Sequence, residues 1–172
     1  MVDDGTSTNE TRLGAVRDIQ YALDSLSWDD DVLVAAGDNV LDFSMTEFIS
    51  YFLLKEASCV MRYFEPDRDR LRRCGVLEMD SSDRVVAMEE KPSEPRSHWC
   101  CPPFYFLCRS DAGKVAECIS SGCGTDAPGS FVAWLCARSP VYAMRMPGKR
   151  YDIGDLKSYR EVCDSYKGMT EV

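Results

Sequence analysis

Two hydrophobic periods alternate between residues 13 and 64, and that alternation limits the possible folds more than any other feature of the sequence. Leu13, Val16, Ile19, Leu23 and Leu26 recur at steps of three or four, which puts them on one face of a helix that begins after Asn9-Glu10-Thr11. Asp29-Asp30-Asp31 interrupts the pattern, and Val32-Leu33-Val34-Ala35-Ala36 follows as a short continuous apolar run. Flanked by helical segments, that run is expected to be a buried parallel strand. After Gly37-Asp38-Asn39, the tetrapeptide Ser44-Met45-Thr46-Glu47 has the form of a capping box. Phe48, Ile49, Phe52 and Leu53 then supply the apolar face of a second helix, and Cys59-Val60-Met61-Arg62-Tyr63-Phe64 reads as the next strand. Helix, strand, helix, strand predicts parallel strands joined by right-handed crossovers.

The pattern changes after residue 74. Gly75-Val76-Leu77-Glu78-Met79-Asp80, a Ser81-Ser82-Asp83 turn and Arg84-Val85-Val86-Ala87-Met88-Glu89-Glu90 read as a β-hairpin. Pro92, Pro95, Pro102 and Pro103 mark an irregular stretch. A strand over 104–108, a helix over about 111–119, a Gly/Pro-rich loop over 122–129 and a helix over about 130–137 follow. A strand over 141–146, a turn at Tyr151-Asp152-Ile153-Gly154 and a last helix from near Asp155 complete the chain. The expected fold is α/β: a Rossmann-like, mixed, mainly parallel sheet flanked by helices, with an inserted antiparallel hairpin, in one domain over residues 1–172.

Composition narrows function by exclusion. The net charge of −9 repels phosphate backbones, so nucleic acid is not an expected partner. Nine cysteines invite a metal or disulfide reading, but the odd count, the lack of a C-x-x-C pair and the single histidine, His98, argue against zinc. Several lie in apolar runs, so they are expected to be reduced and buried, as in a cytoplasmic protein. No apolar run approaches a membrane span, and Met1-Val2-Asp3-Asp4-Gly5 is unlike a signal peptide.

Three short segments could carry chemistry. Asp38 stands just past a predicted strand, where ligands gather in open α/β sheets and a carboxylate can hold Mg²⁺; it could equally be a turn aspartate. In Glu89-Glu90-Lys91-Pro92 the proline holds the preceding residues extended, so a lysine can clamp a phosphate beside a carboxylate that accepts hydroxyls. Such a tetrapeptide is also a common solvated charge run. Asp152 sits at another strand-to-helix turn, and taken alone it reads as part of a helix-cap region.

These segments, in order, are similar to the sugar-1-phosphate nucleotidyltransferase family, which includes glucose-1-phosphate thymidylyl- and uridylyltransferases. The resemblance is carried by Asp3-Asp4-Gly5 with Thr11-Arg12-Leu13-Gly14-Ala15, then Gly37-Asp38-Asn39, Gly75-Val76, Glu89-Glu90-Lys91-Pro92, Phe104-Tyr105, Trp134-Leu135 and Tyr151-Asp152-Ile153-Gly154. It implies transfer of a nucleotidyl group from a nucleoside triphosphate to a sugar 1-phosphate, with release of pyrophosphate. It implies Asp38 and Asp152 as Mg²⁺ carboxylates and, with Lys91, as the catalytic set. Lys91 would contact the sugar phosphate and Glu90 the sugar hydroxyls. Gly75 would let backbone approach the sugar, and Tyr105 would be either a wall for the sugar or a core tyrosine.

The sequence also departs from the family. The glycine-rich G-x-G-T-R-L loop with its following P-K, which cradles the triphosphate, is not matched, and Thr11-Arg12-Leu13 has no G-x-G before it. The resemblance therefore implies the C-terminal two-thirds of the family domain, without its N-terminal strand and nucleotide loop, and inactive alone. Arg17 replaces a glycine common before Asp-Ile, and Cys100-Cys101-Pro102-Pro103 leads into the Phe-Tyr strand where the family runs Gly-Tyr-Phe. The second reading is a non-catalytic module that binds sugar nucleotides, within a homo-oligomer. A dinucleotide-dependent dehydrogenase would need a G-x-G-x-x-G after a strand, and none is present.

Overall fold

A computed structural model describes residues 2–8 and 10–169; Asn9, at the expected start of the first helix, lies outside them. The first helix, α1 (Ala15–Leu26), buries Val16 and Leu23 as its period requires. Gly14 precedes it with φ 91°, and an added Cβ there would come within 2.6 Å of the Thr125 carbonyl. That close approach lets the first helix amides bond outward: Val16 N–H donates to Thr125 O at 3.0 Å and Ala15 N–H to Asp126 O at 3.3 Å. The 122–129 loop is thereby tied to the start of α1.

The main sheet has seven strands. Along it run β1 (Val32–Ala35), β7 (Phe104–Leu107), β3 (Ser58–Phe64), β6 (Trp99–Cys101), β4 (Gly75–Met79) and β5 (Val85–Glu90), and β8 (Val141–Arg145) pairs with β3. Among these ladders β3–β8 alone is parallel. The expectation of a mainly parallel sheet is therefore corrected. The sense of the early strands is preserved, since β1 and β3 both run antiparallel to β7. What the alternation of helix and strand does not encode is that β7 inserts between them. Likewise β1 is not buried on both faces: it pairs with β7 alone among the described residues, and Leu33 is 41% exposed.

Helices cover both faces of the sheet. Val60, Tyr105, Leu107, Val141 and Ala143 face α1, α5 (Val115–Ser120) and α6 (Gly129–Cys136), packing with Val16, Val115, Phe131 and Leu135. Their alternating neighbours Cys59, Met61, Phe104 and Met144 face α2 (Thr46–Lys55), packing with Phe48 and Phe52. This is the period of two that a strand buried on both faces must show.

Local signals fared unevenly. The hairpin forms as expected, its turn closed by Asp80 accepting N–H groups from Ser82 and Arg84 at 2.8 and 3.1 Å. The capping box at Ser44 does not form. Met45 is already αR and its carbonyl accepts the Ile49 N–H, so Ser44 stands one residue too early and accepts from Thr46 instead. A capping box does open α7 (Leu156–Ser165), between Asp155 and Ser158. The helix expected over 111–119 is two short turns, α4 (Arg109–Ala112) and α5, and a further turn, α3 (Arg68–Leu71), precedes β4. The proline-rich stretch contains β6, and the segments read as turns around Asp38 and Asp152 contain β2 (Asn39–Leu41) and β9 (Arg150–Asp152), which pair with each other. The expectation of nine reduced cysteines is also corrected. Cys118 and Cys123 form a disulfide across the end of α5, where Gly122 at φ 82° turns the chain back and brings the Cα atoms to 5.7 Å; seven cysteines are free.

Candidate active site

One cavity of about 690 Å³ opens where the main sheet meets the β2–β9 ribbon and the loop tied to α1. Asp38, Gly75, Glu90, Lys91, Tyr105 and Asp152 all line it, although they are spread over most of the chain. The ribbon brings the backbones of Asp38 and Asp152 close together, with Asn39 paired to Asp152 and Ile153 N–H donating to the Asp38 carbonyl at 2.8 Å, and both residues line the cavity.

Glu90 ends β5 opposite Gly75 on β4. Its carboxylate accepts no hydrogen bond among the described residues, and burial raises its pKa, with Lys91 opposing and Cys74 adding to the rise. The space around it is made by two glycines. A Cβ on Gly75 would meet Met88 Cε at 2.5 Å and Glu90 Oε2 at 2.9 Å, and a Cβ on Gly129 would overlap Glu90 Oε2 outright. The local need for Gly75 is thus room for Glu90 and Met88. Gly129 was not singled out from the sequence; its place at the end of the 122–129 loop was the signal available.

Lys91 has φ 50°, and its N–H donates to the Cys74 carbonyl at 3.0 Å. Neither Lys91 nor Arg73, at the same cavity, has an ion pair among the described residues. Arg150, also missed in the sequence, donates to Asn39 Oδ1, sits 3.9 Å from Asp152 Oδ2 and lies over the Tyr63 ring at 5.4 Å. Tyr105 is 1% exposed and belongs to the core cluster, and it also lines the cavity. Burial raises its phenol well above the ordinary range, so it is neutral.

The fold is that of an α/β protein, and its cavity gathers two cations without an ion pair among the described residues, the half-buried Glu90 and two further carboxylates. Residues 3–168 match the family model for nucleotidyl transferases, and the chain belongs to that family. A curated relative, the glucose-1-phosphate adenylyltransferase of Thermotoga sp. (strain RQ2), is 30% identical over 136 residues. That match covers 76% of this chain but only 32% of the relative's length. An apo UDP-glucose pyrophosphorylase superposes with TM-score 0.79 at 18% identity, covering 91% of this chain and 60% of that one. A UDP-glucose pyrophosphorylase complexed with UDP-glucose gives 0.76 at 19%, covering 89% and 62%. At those identities the structural likeness shows the fold.

The chemistry of the carboxylate pair suits Mg²⁺. That ion is commonly held by one or two carboxylates and completed by phosphate oxygens and water. Asp38 accepts one bond, from Asn39 at 2.6 Å, and Arg150 is too far from Asp152 to occupy its oxygens. Among the described residues no group of three or more His, Cys, Asp or Glu side chains converges as a metal cluster. No helix of the described residues is long and apolar enough to cross a membrane.

Proposed function

We propose that this chain supplies the sugar-1-phosphate side of a nucleotidyl transferase site, in which a nucleoside triphosphate and a sugar 1-phosphate give a nucleotide sugar and pyrophosphate. The observation that carries this reading is Glu90: a desolvated carboxylate without a hydrogen-bond partner among the described residues, walled by two glycines and set beside a free lysine. A half-buried carboxylate that faces a cavity is free to accept hydrogen bonds from a ligand, and sugar hydroxyls are donors that suit it.

In the proposed arrangement Glu90 accepts two sugar hydroxyls and the Tyr105 ring closes the apolar side. Lys91 and Arg73 neutralise the sugar phosphate. Holding that dianion against a fixed wall aligns one of its oxygens with the α-phosphorus, so positioning is the main contribution of these residues. Asp38 and Asp152 would hold Mg²⁺, which when bound neutralises charge on the phosphate oxygens. The same proposal takes residues 1–172 as one domain. It places the protein in the cytosol, supported by seven free cysteines, and excludes nucleic acid on its charge.

Titration calorimetry with glucose 1-phosphate and with UDP-glucose, each with Mg²⁺, tests the reading. Heat with either, lost in Glu90→Gln, supports it. No heat with the folded protein refutes it. A pyrophosphate-release assay then separates an enzyme from a module that binds without turnover.

A further inference from the structure

Free thiols form one wall of the cavity, and the nucleotidyl-transfer reading uses none of them. Cys74 precedes β4, lines the cavity and is half-exposed, whereas Cys100 on β6 is fully buried. Register places Cys100 opposite both Val76 on β4 and Tyr63 on β3. Side chains alternate along a strand, so Cys74, two residues before Val76, shares their face. Diagonal neighbours on a face lie roughly 7–8 Å apart at Cα, beyond the span of about 4.4–6.8 Å in a relaxed disulfide, so a bond between them requires the backbone to draw in. Cys74 packs in one cluster with Cys100, and its sulfur is 3.4 Å from the Tyr63 hydroxyl.

The two sulfurs are electronically unequal. The neighbouring Cys100 thiol, the Tyr63 hydroxyl and Arg150 hold the Cys74 thiol below its ordinary range against the opposing effect of burial. The reciprocal effect of Cys74, with burial, raises Cys100. Cys74, the sulfur that faces the cavity, is thus the more readily ionised of the two and the nucleophile.

We infer that Cys74 is an oxidation site for hydroperoxides, resolved by Cys100 as a disulfide, and that this step switches the sugar side of the cavity. The Cys74 thiolate attacks the peroxide oxygen, the O–O bond breaks, and the departing alkoxide or hydroxide takes a proton, leaving Cys74 as a sulfenic acid. The Cys100 sulfur then attacks the Cys74 sulfur, the S–O bond breaks, and the Cys100 proton leaves with the hydroxyl as water. Two thiols lose two electrons and one hydroperoxide gains them. Cys74 is the residue whose carbonyl holds the Lys91 N–H and whose neighbour is Gly75, so drawing it towards Cys100 moves the backbone beneath the residues assigned to phosphate and sugar. This last consequence rests on the function proposed above.

The test treats the full chain with hydrogen peroxide, alkylates the remaining thiols and maps peptides by mass spectrometry. A Cys74–Cys100 cross-link that dithiothreitol reverses is expected, and Cys100→Ala should instead leave a sulfenic acid on Cys74 that dimedone traps. Cys74 untouched while Cys163 or Cys108 is modified overturns the inference. Calorimetry on the cross-linked wild type should show glucose 1-phosphate affinity at least tenfold weaker, restored on reduction; unchanged affinity overturns the switch. If the reduced protein binds no glucose 1-phosphate, the function reading fails, while the cross-link still reports on the thiols.

Discussion

Gly129→Ala should separate ligand binding from stability. The added Cβ would overlap Glu90 Oε2 and come to 3.1 Å from Glu90 Cδ and 2.9 Å from Met88 Cε. All three atoms belong to the outer parts of flexible side chains, so they can move while the backbone stays. Gly129 opens α6, where alanine is favoured over glycine by up to about 1 kcal/mol, with the full figure reached only in a helix interior. The expected stability change is therefore between zero and about +1 kcal/mol, a Tm shift of at most about 4 °C upward in a domain this size. Binding should respond in the opposite sense. The displaced carboxylate would lose at least one charge-assisted hydrogen bond to a sugar hydroxyl, about 1.5–3 kcal/mol, or a Kd for glucose 1-phosphate raised roughly 10- to 150-fold. Differential scanning fluorimetry and calorimetry read the two effects on one preparation. A folded variant with unchanged Kd would refute the assignment of Glu90 to the sugar, and a Tm lowered by several degrees would show that Glu90 has no room to yield.

Three further outcomes follow from the same geometry. Asp111, 5% exposed, accepts from Ser58 at 2.6 Å, Ser139 at 2.7 Å and Lys114 at 2.8 Å, so Asp111→Asn should cost about 2–3 kcal/mol and lower Tm by roughly 4–12 °C. Burial raises its pKa, but the bonds from Lys114, Ser58 and Ser139 outweigh this and the net shift is downward. The stabilisation is therefore present above the unfolded carboxyl value of about 3.9 and lost as pH falls through the folded one, so wild-type and Asp111→Asn melts should converge below about pH 4. Lys91→Gln should weaken glucose 1-phosphate binding about tenfold and flatten its salt dependence, measured by calorimetry at two ionic strengths. Asp152→Asn should leave Mg²⁺-free binding within about twofold while abolishing the gain in affinity on adding Mg²⁺; an equal gain would remove Asp152 from the metal.

Which parts of this fold are legible in the sequence follows from where each signal resides. The periods that mark α1, α2 and β3 are local, and so is the polar turn of the β4–β5 hairpin. Strand direction and neighbourhood are not: the apolar run at Val32–Ala35 reads the same whether β7 or β3 lies beside it. The three-residue strands β2, β6 and β9 are too short to show a period, and they sit among Gly, Asp and Pro, the chemistry of turns. Asp38, Gly75, Glu90, Lys91, Tyr105 and Asp152 were found from the order of motifs, and the fold gathers them at one cavity. Arg73, Gly129 and Arg150 carry no motif. Gly129 and Arg150 matter through contacts with residues distant in sequence, and Arg73 through its place at the cavity, which only the folded chain displays.

The cavity is built on the main sheet and on a separate two-stranded ribbon. Gly75, Glu90 and Tyr105 stand on the seven-stranded sheet, in ladders buried by helices. Asp38 and Asp152 flank or end a separate ribbon of two three-residue strands. That ribbon is fixed by a few identifiable bonds: Lys149 N–H to Asp42 Oδ1 at 2.7 Å, the Tyr166 hydroxyl to the Leu41 carbonyl at 3.1 Å, and the edge-on packing of Tyr151 against Tyr166. Arg150 joins the two bodies, since it bonds Asn39 on the ribbon while lying over Tyr63 on β3. A lysine there would keep the charge but lose the planar contact and the fixed direction of the donor. In the function proposed above, Arg150 and the packing of Leu41 against the sheet's core set the spacing between the two aspartates and the Glu90–Lys91 pair, a spacing that in-line attack on phosphorus would demand.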